Sequence, residues 1–366
     1  MSQQLPDFPW DLLTPHAETA RAHPGGIVDL SVGSPVDETP AVVRNALAAA
    51  TDAHSYPQTA GSVPLREAIV SWYARRRGVD DLSTANVLPT IGSKEFITLL
   101  PLLFGLGKGD VVVQPSVAYP SYAIGAALVG ADVVSTDDPA EWPSNTKLAW
   151  LNSPGNPDGR VLGVDELRAA VARARELDAV VVSDECYAEF AWGAESPTVS
   201  ILHPSVIEGQ RNHVLAVYSL SKQSNLAGYR AGFVAGCSDL LGELLEVRKH
   251  VGLIPPAPVQ AAMVAALADD EHVAIQRERY RARRSLLAPA LTRAGFTIDR
   301  SEAGLYLWAT RGEDAWATVS WLAGLGILVA PGSFYGDETH VRVALTATDE
   351  AIATAVARLS AQERSA

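Results

Sequence analysis

The sequence predicts an α/β protein with a large, mainly parallel sheet covered by helices on both faces, together with a smaller α+β unit. From about residue 42 to residue 240, helical patterns alternate with short β-branched apolar runs, as in stacked βα units. The clearest runs are VVV at 111–113, KLAWLN at 147–152, AVVVSDE at 179–185 and VLAVYSLSK at 214–222. Stretches such as 64–77 and 165–177 place charges opposite apolar residues at helical spacing, so these helices should cover the sheet.

A change of pattern near residue 255 predicts the domain division. Prolines at 255, 256 and 258 interrupt the alternation, and a long Arg-rich helical stretch follows. The strand-like runs GLYLWAT, ILVAPGS and HVRVALT come after it. We expect a large domain over residues 37–255 and a small domain over 256–366, with residues 1–36 forming an N-terminal segment that joins the small domain. The basic cluster from Arg279 to Arg284 is interpreted as a solvated helix face.

Composition and charge restrict the classes of function. Hydrophobic residues make up 48% of the chain and charged residues 19%, which is typical of a globular protein. The formal net charge is −13 and no sustained basic block occurs, which argues against a nucleic-acid partner. No apolar run reaches the length of a membrane span, and the N-terminus lacks a signal-peptide pattern. Cys186 and Cys237 lie far apart without metal-ligand spacing, so we expect a cytoplasmic protein with no metal site.

The segment SLSKQSNLAGYRAG, Ser219 to Gly232, carries a single lysine at the end of a strand-like run. A lone lysine after a strand is usually a solvated charge. Lys222, however, is flanked by the hydroxyls of Ser219 and Ser221, and Arg230 can pair with a phosphate through two hydrogen bonds. An amine nucleophile beside a phosphate site is what a Schiff base of pyridoxal 5′-phosphate requires.

Two further strand ends supply polar groups for the ring of such a cofactor. VVVSDECYAEF delivers Asp184, whose carboxylate could keep a pyridine nitrogen protonated, and Tyr187, which could hydrogen-bond the ring oxygen. A helix cap is the alternative role for the acid. In the turn LNSPGNPDGR, Asn156 could donate to the same oxygen. Asp158, where NPTG is commoner, should change the turn more than the chemistry.

The remaining phosphate and ring contacts are predicted in IGSKEFITLL and PSVAYPSY. Gly92, Ser93 and Lys94 open an apolar helix, and helix N-termini bind anions through free amides. Capping of the helix by Ser93 is equally consistent with this local sequence. Tyr119 follows the next strand and could stack on a pyridine ring, although an ordinary packed aromatic is the alternative.

Taken together, these motifs resemble the fold type I aminotransferases of classes I and II. The similarity runs from about Leu30 to Leu345. It passes through LSVGSP, YPQTAGSVPLREA, GSKE, NPDG, SDECY, SLSKQSNLAGYR and HVRVALT in the family's order. The resemblance implies a PLP-transferase fold, a pyridoxal 5′-phosphate cofactor, an amino-acid donor and a 2-oxo acid acceptor, with glutamate and 2-oxoglutarate as the expected pair.

The resemblance also assigns residue roles. Lys222 matches the lysine that carries the cofactor, Asp184 the partner of the pyridine nitrogen, and Asn156 with Tyr187 the ring-oxygen contacts. Phosphate contacts match Ser93, Lys94, Ser219 and Arg230, and the stacking ring matches Tyr119. Tyr56 matches a tyrosine that reaches the neighbouring subunit's phosphate, which implies a homodimer with shared active sites. Gly33 and Arg342 match contacts to the substrate α-carboxylate, and the apolar neighbours of Arg342 in HVRVAL favour burial over a surface position.

The N-terminal stretch LPDFPWDLLTPH with HPGGIVDLSVGSPVDETP looks like that of actinobacterial succinyldiaminopimelate aminotransferases of lysine biosynthesis. Other amino-acid aminotransferases, a β-lyase or an aminocyclopropane-forming enzyme would use the same cofactor contacts and stay open as alternatives. A cofactor-sensing transcription regulator is disfavoured, because the residues before Leu30 carry no basic helix-turn-helix pattern.

Overall fold

The computed structural model of the chain describes Leu5, residues 8–193 and residues 198–362. These residues contain thirteen α-helices, α1 to α13. They are α1 Thr14–Ala22, α2 Ala41–Ala49, α3 Val63–Trp72, α4 Gly92–Leu103, α5 Ser121–Val129, α6 Val164–Glu176, α7 Pro204–Ile207, α8 Leu220–Gln223, α9 Ser238–Val251, α10 Ala257–Ala268, α11 Glu271–Arg293, α12 Ala315–Gly324 and α13 Asp349–Gln362. Short 3-10 helices include Pro9–Leu13 and Gly332–Tyr335, and the π turn is Tyr73–Arg77.

Strands form three sheets in the described residues. The strands are β1 Val28–Asp29, β2 Val87–Ile91, β3 Val111–Gln114, β4 Asp132–Ser135, β5 Thr146–Asn152, β6 Val180–Asp184, β7 Val214–Ser219, β8 Ala231–Gly236, β9 Thr297–Asp299, β10 Tyr306–Thr310, β11 Ile327–Leu328, β12 Ala330–Pro331 and β13 His340–Ala344. The large sheet has the order β2-β8-β7-β6-β5-β3-β4, and β8 alone runs antiparallel to its neighbours. This confirms the predicted mainly parallel sheet.

Alternation along the central strands explains why helices cover both faces. Val181 packs into one core with residues of α3, α6 and α10, whereas Val182 packs into the other with residues of α4, α5 and α9. Successive strand residues point to opposite faces, so a strand that is apolar at every position must be buried on both sides. The continuous run VVV in β6 is therefore a consequence of its central position.

A third core, separate from the two that cover the large sheet, holds the smaller antiparallel sheet, β12-β13-β10-β9, with α11, α12 and α13. Leu13, Ala17, Val28 and Leu30 of the N-terminal segment pack into this core, and β1 pairs with β11 in parallel. Helix α10 packs instead against α2 and α3, in the core of the large sheet. The division after residues 36 and 255 stays a prediction.

Arg283 corrects the interpretation of the basic cluster as a solvated face. Its guanidinium is buried and forms ion pairs of 2.7 Å with Asp37 and 2.6 Å with Asp349. Burial raises the pKa of Asp37, but hydrogen bonds from Arg283 and Gln276 outweigh it, so the pKa lies below its usual value. No helix in the described residues is long and apolar enough to cross a membrane.

The two acidic partners of Arg283 should contribute very differently to stability. Asp37→Ala leaves the buried Arg283 with only the exposed Asp349 as a carboxylate partner and should lower the free energy of unfolding by about 3–5 kcal/mol in urea denaturation at pH 7. Asp349→Ala is the control, because 74% of that side chain is exposed and its loss should cost under about 1 kcal/mol. The effect of Asp37→Ala should shrink as the pH falls below about 4, where the lowered carboxyl pKa of Asp37 is approached. Equal effects of the two variants at pH 7 would contradict this account.

Candidate active site

The candidate site lies where the carboxyl ends of parallel strands meet one another. Asn152 and Asp184, the last residues of β5 and β6, are direct partners in the register of the sheet. Ser219 ends β7 and pairs with Gly232 of β8, while β2 ends at Ile91 opposite Ala231. Ligands of α/β proteins bind at such an edge. The fold thus collects the predicted residues of four separate segments at one place.

Lys222 lies in α8, directly after β7. Its Nζ donates a hydrogen bond to the carbonyl of Gly33, and the side chain is half-buried. Ser219 caps this short helix by accepting a hydrogen bond of 3.2 Å from the Ser221 amide, and its hydroxyl donates to that of Ser221 at 2.9 Å. The amine and two hydroxyls therefore have fixed positions on one turn of chain.

The start of α4 and Arg230 approach each other closely. Gly92 has φ +70°, and a Cβ built on it would lie 2.5 Å from Nη2 of Arg230. Only glycine fits such a backbone angle and such a contact. Ser93 is half-buried, and Lys94 is exposed. Exposed Arg230 and the free amides of the helix start could hold an anion between them.

Asp184 is a buried carboxylate whose hydrogen-bond donors are neutral. Tyr122 donates its hydroxyl to Oδ2 at 3.0 Å, and the Cys186 amide donates to Oδ1 at 3.1 Å. Burial raises the carboxyl pKa, and these hydrogen bonds offset it only in part. A cationic partner placed against Asp184 would remove this penalty. Tyr119, whose ring is 5.8 Å from that of Tyr122, lies on the same side of the site.

Asn156 joins the turn after β5 to the smaller sheet. Its amide donates to Oδ1 of Asn152 at 2.8 Å, and its own Oδ1 accepts from Nη1 of Arg342 at 3.0 Å. Asn152 in turn donates to the carbonyl of Asp184 at 2.9 Å. The peptide bonds Ser153–Pro154 and Asn156–Pro157 are both cis. The turn therefore fixes Asn156 relative to Asp184 and Arg342.

Arg342 is buried without a carboxylate partner in the described residues. Nη2 donates to the carbonyl of Ser31 at 2.6 Å, and Cζ lies 4.1 Å from the ring centre of Tyr306 and 5.0 Å from that of Tyr335. Nε has no hydrogen-bond partner in the described residues. The other buried arginines each have a carboxylate within 3.5 Å, namely Arg77 with Glu185, Arg248 with Glu95 and Arg283 with Asp37. The guanidinium of Arg342 is thus open to an anion from outside the chain.

Two aromatic residues at the site, Tyr122 and Tyr306, were not predicted, and a third, Trp10, comes from the N-terminal segment. Tyr122 binds Asp184, Tyr306 lies 3.0 Å from the hydroxyl of Tyr187, and the ring of Trp10 is centred 6.0 Å from Cζ of Arg342. Tyr306 pairs with Ala344 and Trp308 with Arg342, so Tyr306 and Arg342 share one face of the sheet. Only the strand register reveals this, although the aromatic residues of GLYLWAT were a usable signal.

Tyr56 lies apart from the other predicted residues. Its side chain is 98% exposed, and no hydrogen bond or ring contact of it occurs in the described residues. A contact with a second subunit stays a prediction for this residue.

Comparison with known proteins assigns the family. The pattern of "Aminotransferase class I and II" matches residues 26–359. The chain belongs to the class I and II aminotransferases. It is 57% identical to "Probable aminotransferase Rv1178" of Mycobacterium tuberculosis over 98% of this chain and 86% of that protein. It is 55% identical to "4-dedimethylamino-4-oxo-anhydrotetracycline transaminase OxyQ" of Streptomyces rimosus over 98% of this chain and 100% of that protein.

More distant aminotransferases share the whole length. An LL-diaminopimelate aminotransferase of Dehalococcoides mccartyi is 31% identical over 98% of this chain and 97% of that protein. The crystal structure of an aminotransferase from Neisseria meningitidis has a TM-score of 0.88 at 30% identity and covers 99% of this chain and 98% of that one. The aminotransferase fold is therefore established over both sheets.

Membership of this family implies pyridoxal 5′-phosphate, and the geometry fits that cofactor. Its phosphate would find hydroxyls of Ser219 and Ser221, the amides at the start of α4 and the cation of Arg230. Its ring nitrogen, once protonated, would satisfy the buried carboxylate of Asp184. Lys222 lies on the same turn as the hydroxyls. The groups proposed for the phosphate, the ring nitrogen and the covalent bond therefore lie near one edge of the sheet.

Asp158 does more than shape its turn. Its Oδ2 accepts from Nη1 of Arg300 at 2.6 Å, and its carbonyl accepts from the amide of Ser301 at 2.8 Å. The hydroxyl of Ser301 accepts from the amide of Trp308, the strand partner of Arg342. Hydrogen bonds therefore connect the turn that carries Asn156 to β10, whose Trp308 is the strand partner of Arg342.

We predict a strong energetic coupling between Asp158 and Arg300. Because Asp158 is buried, a double-mutant cycle of Asp158→Asn and Arg300→Met, followed by urea denaturation, should give a coupling of about 1–3 kcal/mol. The control cycle uses Arg160 and Glu166, a more exposed pair on the same side of the molecule, and should give under about 1 kcal/mol. A coupling energy between Asp158 and Arg300 no larger than that of the control pair would show that this ion pair does not stabilise the turn.

Proposed function

We propose that this aminotransferase exchanges an amino group between an α-amino acid and a 2-oxo acid, with glutamate and 2-oxoglutarate as one pair. Lys222 would bind the cofactor covalently, and Arg342 would bind the α-carboxylate that both substrates carry. The observation that carries this proposal is the buried guanidinium of Arg342, which has no carboxylate partner in the described residues. A substrate carboxylate supplies the missing anion.

Each proposed role follows from the position of a side chain. When bound, pyridoxal 5′-phosphate supplies an electron sink for the bonds at the amino-bearing carbon of the substrate. Asp184 would keep the ring nitrogen of the cofactor protonated, because its partners in the chain, Tyr122 and the Cys186 amide, are neutral. Asn156 would orient Arg342 through their 3.0 Å hydrogen bond. Lys222, which lies on the same turn as Ser219 and Ser221, would hold and move the proton as general base.

We also propose a homodimer with shared active sites. The Tyr56 side chain is 98% exposed, and the family resemblance matches it to a tyrosine that reaches the neighbouring subunit's phosphate. Tyr56, Ser93, Lys94 and Arg230 together would then surround the phosphate.

Replacement of Arg342 should weaken every α-amino acid substrate. Arg342→Ala should lower kcat/KM by a factor that corresponds to about 2–5 kcal/mol, because the substrate carboxylate would be desolvated without a cation. Arg342→Lys retains the charge but loses the two-pronged geometry, so it should recover only part of the loss. Steady-state kinetics with glutamate and alanine measure both variants. A loss confined to one of the two substrates would instead assign Arg342 to the distal end.

For the second substrate we propose N-succinyl-2-amino-6-oxopimelate, which would be converted to N-succinyl-diaminopimelate. The N-terminal motif supports it, and so does the full-length similarity to LL-diaminopimelate aminotransferases, whose named substrate has the same carbon skeleton. The ring of Trp10, in the N-terminal segment, is centred 6.0 Å from Cζ of Arg342, so a long substrate would have room to contact this segment. There Trp10 stacks on Phe8 at 5.6 Å and contacts Phe334 at 5.3 Å.

A second candidate is a ketone on a fused-ring skeleton. Its support is the 55% identity with the anhydrotetracycline transaminase over that protein's full length. The aromatic wall of Trp10, Phe8 and Phe334 would suit flat rings as well as a long chain.

A panel of acceptors should separate these candidates. With glutamate as donor, the succinylated oxopimelate should exceed pyruvate, oxaloacetate, phenylpyruvate and a 4-oxo-anhydrotetracycline in kcat/KM. Product 2-oxoglutarate is measured in a coupled assay, and cystathionine is included to test for release of ammonia and pyruvate by a β-lyase. If an aromatic or fused-ring acceptor is better by tenfold or more, about 1.4 kcal/mol in the barrier, the succinylated substrate is wrong while the aminotransferase assignment stands.

A further inference from the structure

Tyr306, which no sequence motif marked, lies between the groups proposed for substrate and cofactor. Its ring is centred 4.1 Å from Cζ of Arg342, and its hydroxyl lies 3.0 Å from that of Tyr187. The rings of Tyr306 and Tyr187 meet edge to face at 5.7 Å. Both tyrosines are buried. The Tyr306 ring face thus contacts Arg342, which is proposed to bind the substrate carboxylate. Its hydroxyl contacts Tyr187, which is proposed to bind the cofactor's ring oxygen.

The position of this hydroxyl is fixed by its surroundings. A Cβ built on Gly33 would lie 1.9 Å from the Tyr306 hydroxyl oxygen, so only glycine leaves room for it. The carbonyl of the same Gly33 accepts the hydrogen bond from Lys222. Tyr306 therefore cannot turn away from Tyr187 without disturbing the segment that binds Lys222.

The charges around the pair favour ionisation of Tyr306 before Tyr187. Burial alone would raise the pKa of Tyr306, but the cations Arg342 and Lys222, with the hydrogen bond from Tyr187, lower it. Burial and then Tyr306 raise the pKa of Tyr187 well above its usual value. The other ionisable groups that face Tyr306 are neutral near pH 7: Cys186, Tyr119, Tyr280 and Tyr335. This order of ionisation favours donation from Tyr187 to the oxygen of Tyr306 when no carboxylate is bound.

We propose that Tyr306 is a positioning residue that couples carboxylate binding at Arg342 to the direction of the Tyr187–Tyr306 hydrogen bond. The proposal rests on the proposed role of Arg342. A bound carboxylate compensates the charge of Arg342, which favours the neutral form of Tyr306. Neutral Tyr306 then donates a hydrogen bond to the hydroxyl oxygen of Tyr187. The proton of Tyr187 then becomes available to another acceptor in the site. By linkage, ionisation of Tyr306 must weaken carboxylate binding by the same factor.

Glutarate is a suitable probe, because it has carboxylates but neither an amino nor a keto group. The holoenzyme is labelled with ¹³C at Cζ of its 10 tyrosines, whose resonance moves when the phenol ionises. One resonance, absent from Tyr306→Phe, should titrate at lower pH in the glutarate-free holoenzyme, where the charge of Arg342 is uncompensated, than in the glutarate complex. This measurement on the unaltered protein does not depend on how any variant folds.

Affinity provides a second readout. The Kd of glutarate, measured by calorimetry, should rise between pH 7 and pH 10. The ratio of the Kd at pH 10 to the Kd at pH 7 should be at least about fivefold larger in the parent than in Tyr306→Phe. Tyr73→Phe is the matched control, since it removes a buried hydroxyl that has no partner in the described residues and lies in another core. It should keep the parent's pH dependence.

The possible results separate the two proposals. Glutarate binding that survives Arg342→Ala unchanged, or that does not occur in the parent, overturns the role of Arg342 and the coupling with it. Binding that requires Arg342 but leaves the Tyr306 resonance in place, or that has the same pH dependence in Tyr306→Phe, overturns the coupling alone.

Discussion

The site depends on one buried cation for which the described residues provide no carboxylate. Charge burial is costly without compensation, and Arg342 obtains it from the carbonyl of Ser31, the carboxamide of Asn156 and the faces of Tyr306 and Tyr335. These groups come from the N-terminal segment, the turn after β5, β10 and the 3-10 helix Gly332–Tyr335. All four segments must be in place before the guanidinium has its neutral neighbours, so both cores contribute to one binding group.

Asp184, like Arg342, is a buried charged group without an oppositely charged partner in the described residues, and its charge is negative. It is buried with neutral donors, which leaves its carboxyl pKa raised. A ligand with a carboxylate at one end and a protonated ring nitrogen at the other would compensate both charges at once. Ion pairs within the chain would satisfy each residue but would close the site. The chain forms such pairs elsewhere, at Arg248 and Arg283, where no ligand is expected. The distribution of unpaired charge therefore distinguishes the site from the rest of the interior.

Much of this arrangement could be predicted from sequence, for a physical reason. Lys222, Asp184 and Asn156 each follow an apolar strand, and the carboxyl ends of parallel strands share one edge. Tyr306 and Tyr122 could not be predicted, because their contacts depend on register and on packing between distant segments. Arg283 was assigned to a solvated face for the same reason: its partner Asp37 lies 246 residues away in the chain. Non-local ion pairs leave no periodic pattern in sequence.

The two ends of the substrate site differ in how strongly they are constrained. At Arg342 the neighbours Ser31, Asn156, Tyr306 and Tyr335 are all buried, which suits a group common to all amino-acid substrates. Beyond it lies the segment of Phe8 and Trp10, where 57% of the Phe8 side chain is exposed and the contacts are aromatic rather than polar. Apolar surfaces discriminate weakly between ligands of similar size, whereas buried polar groups discriminate strongly. On the proposed function, the Phe8 and Trp10 segment is therefore the part of the described chain where the contacts to a substrate's distal end are least constrained.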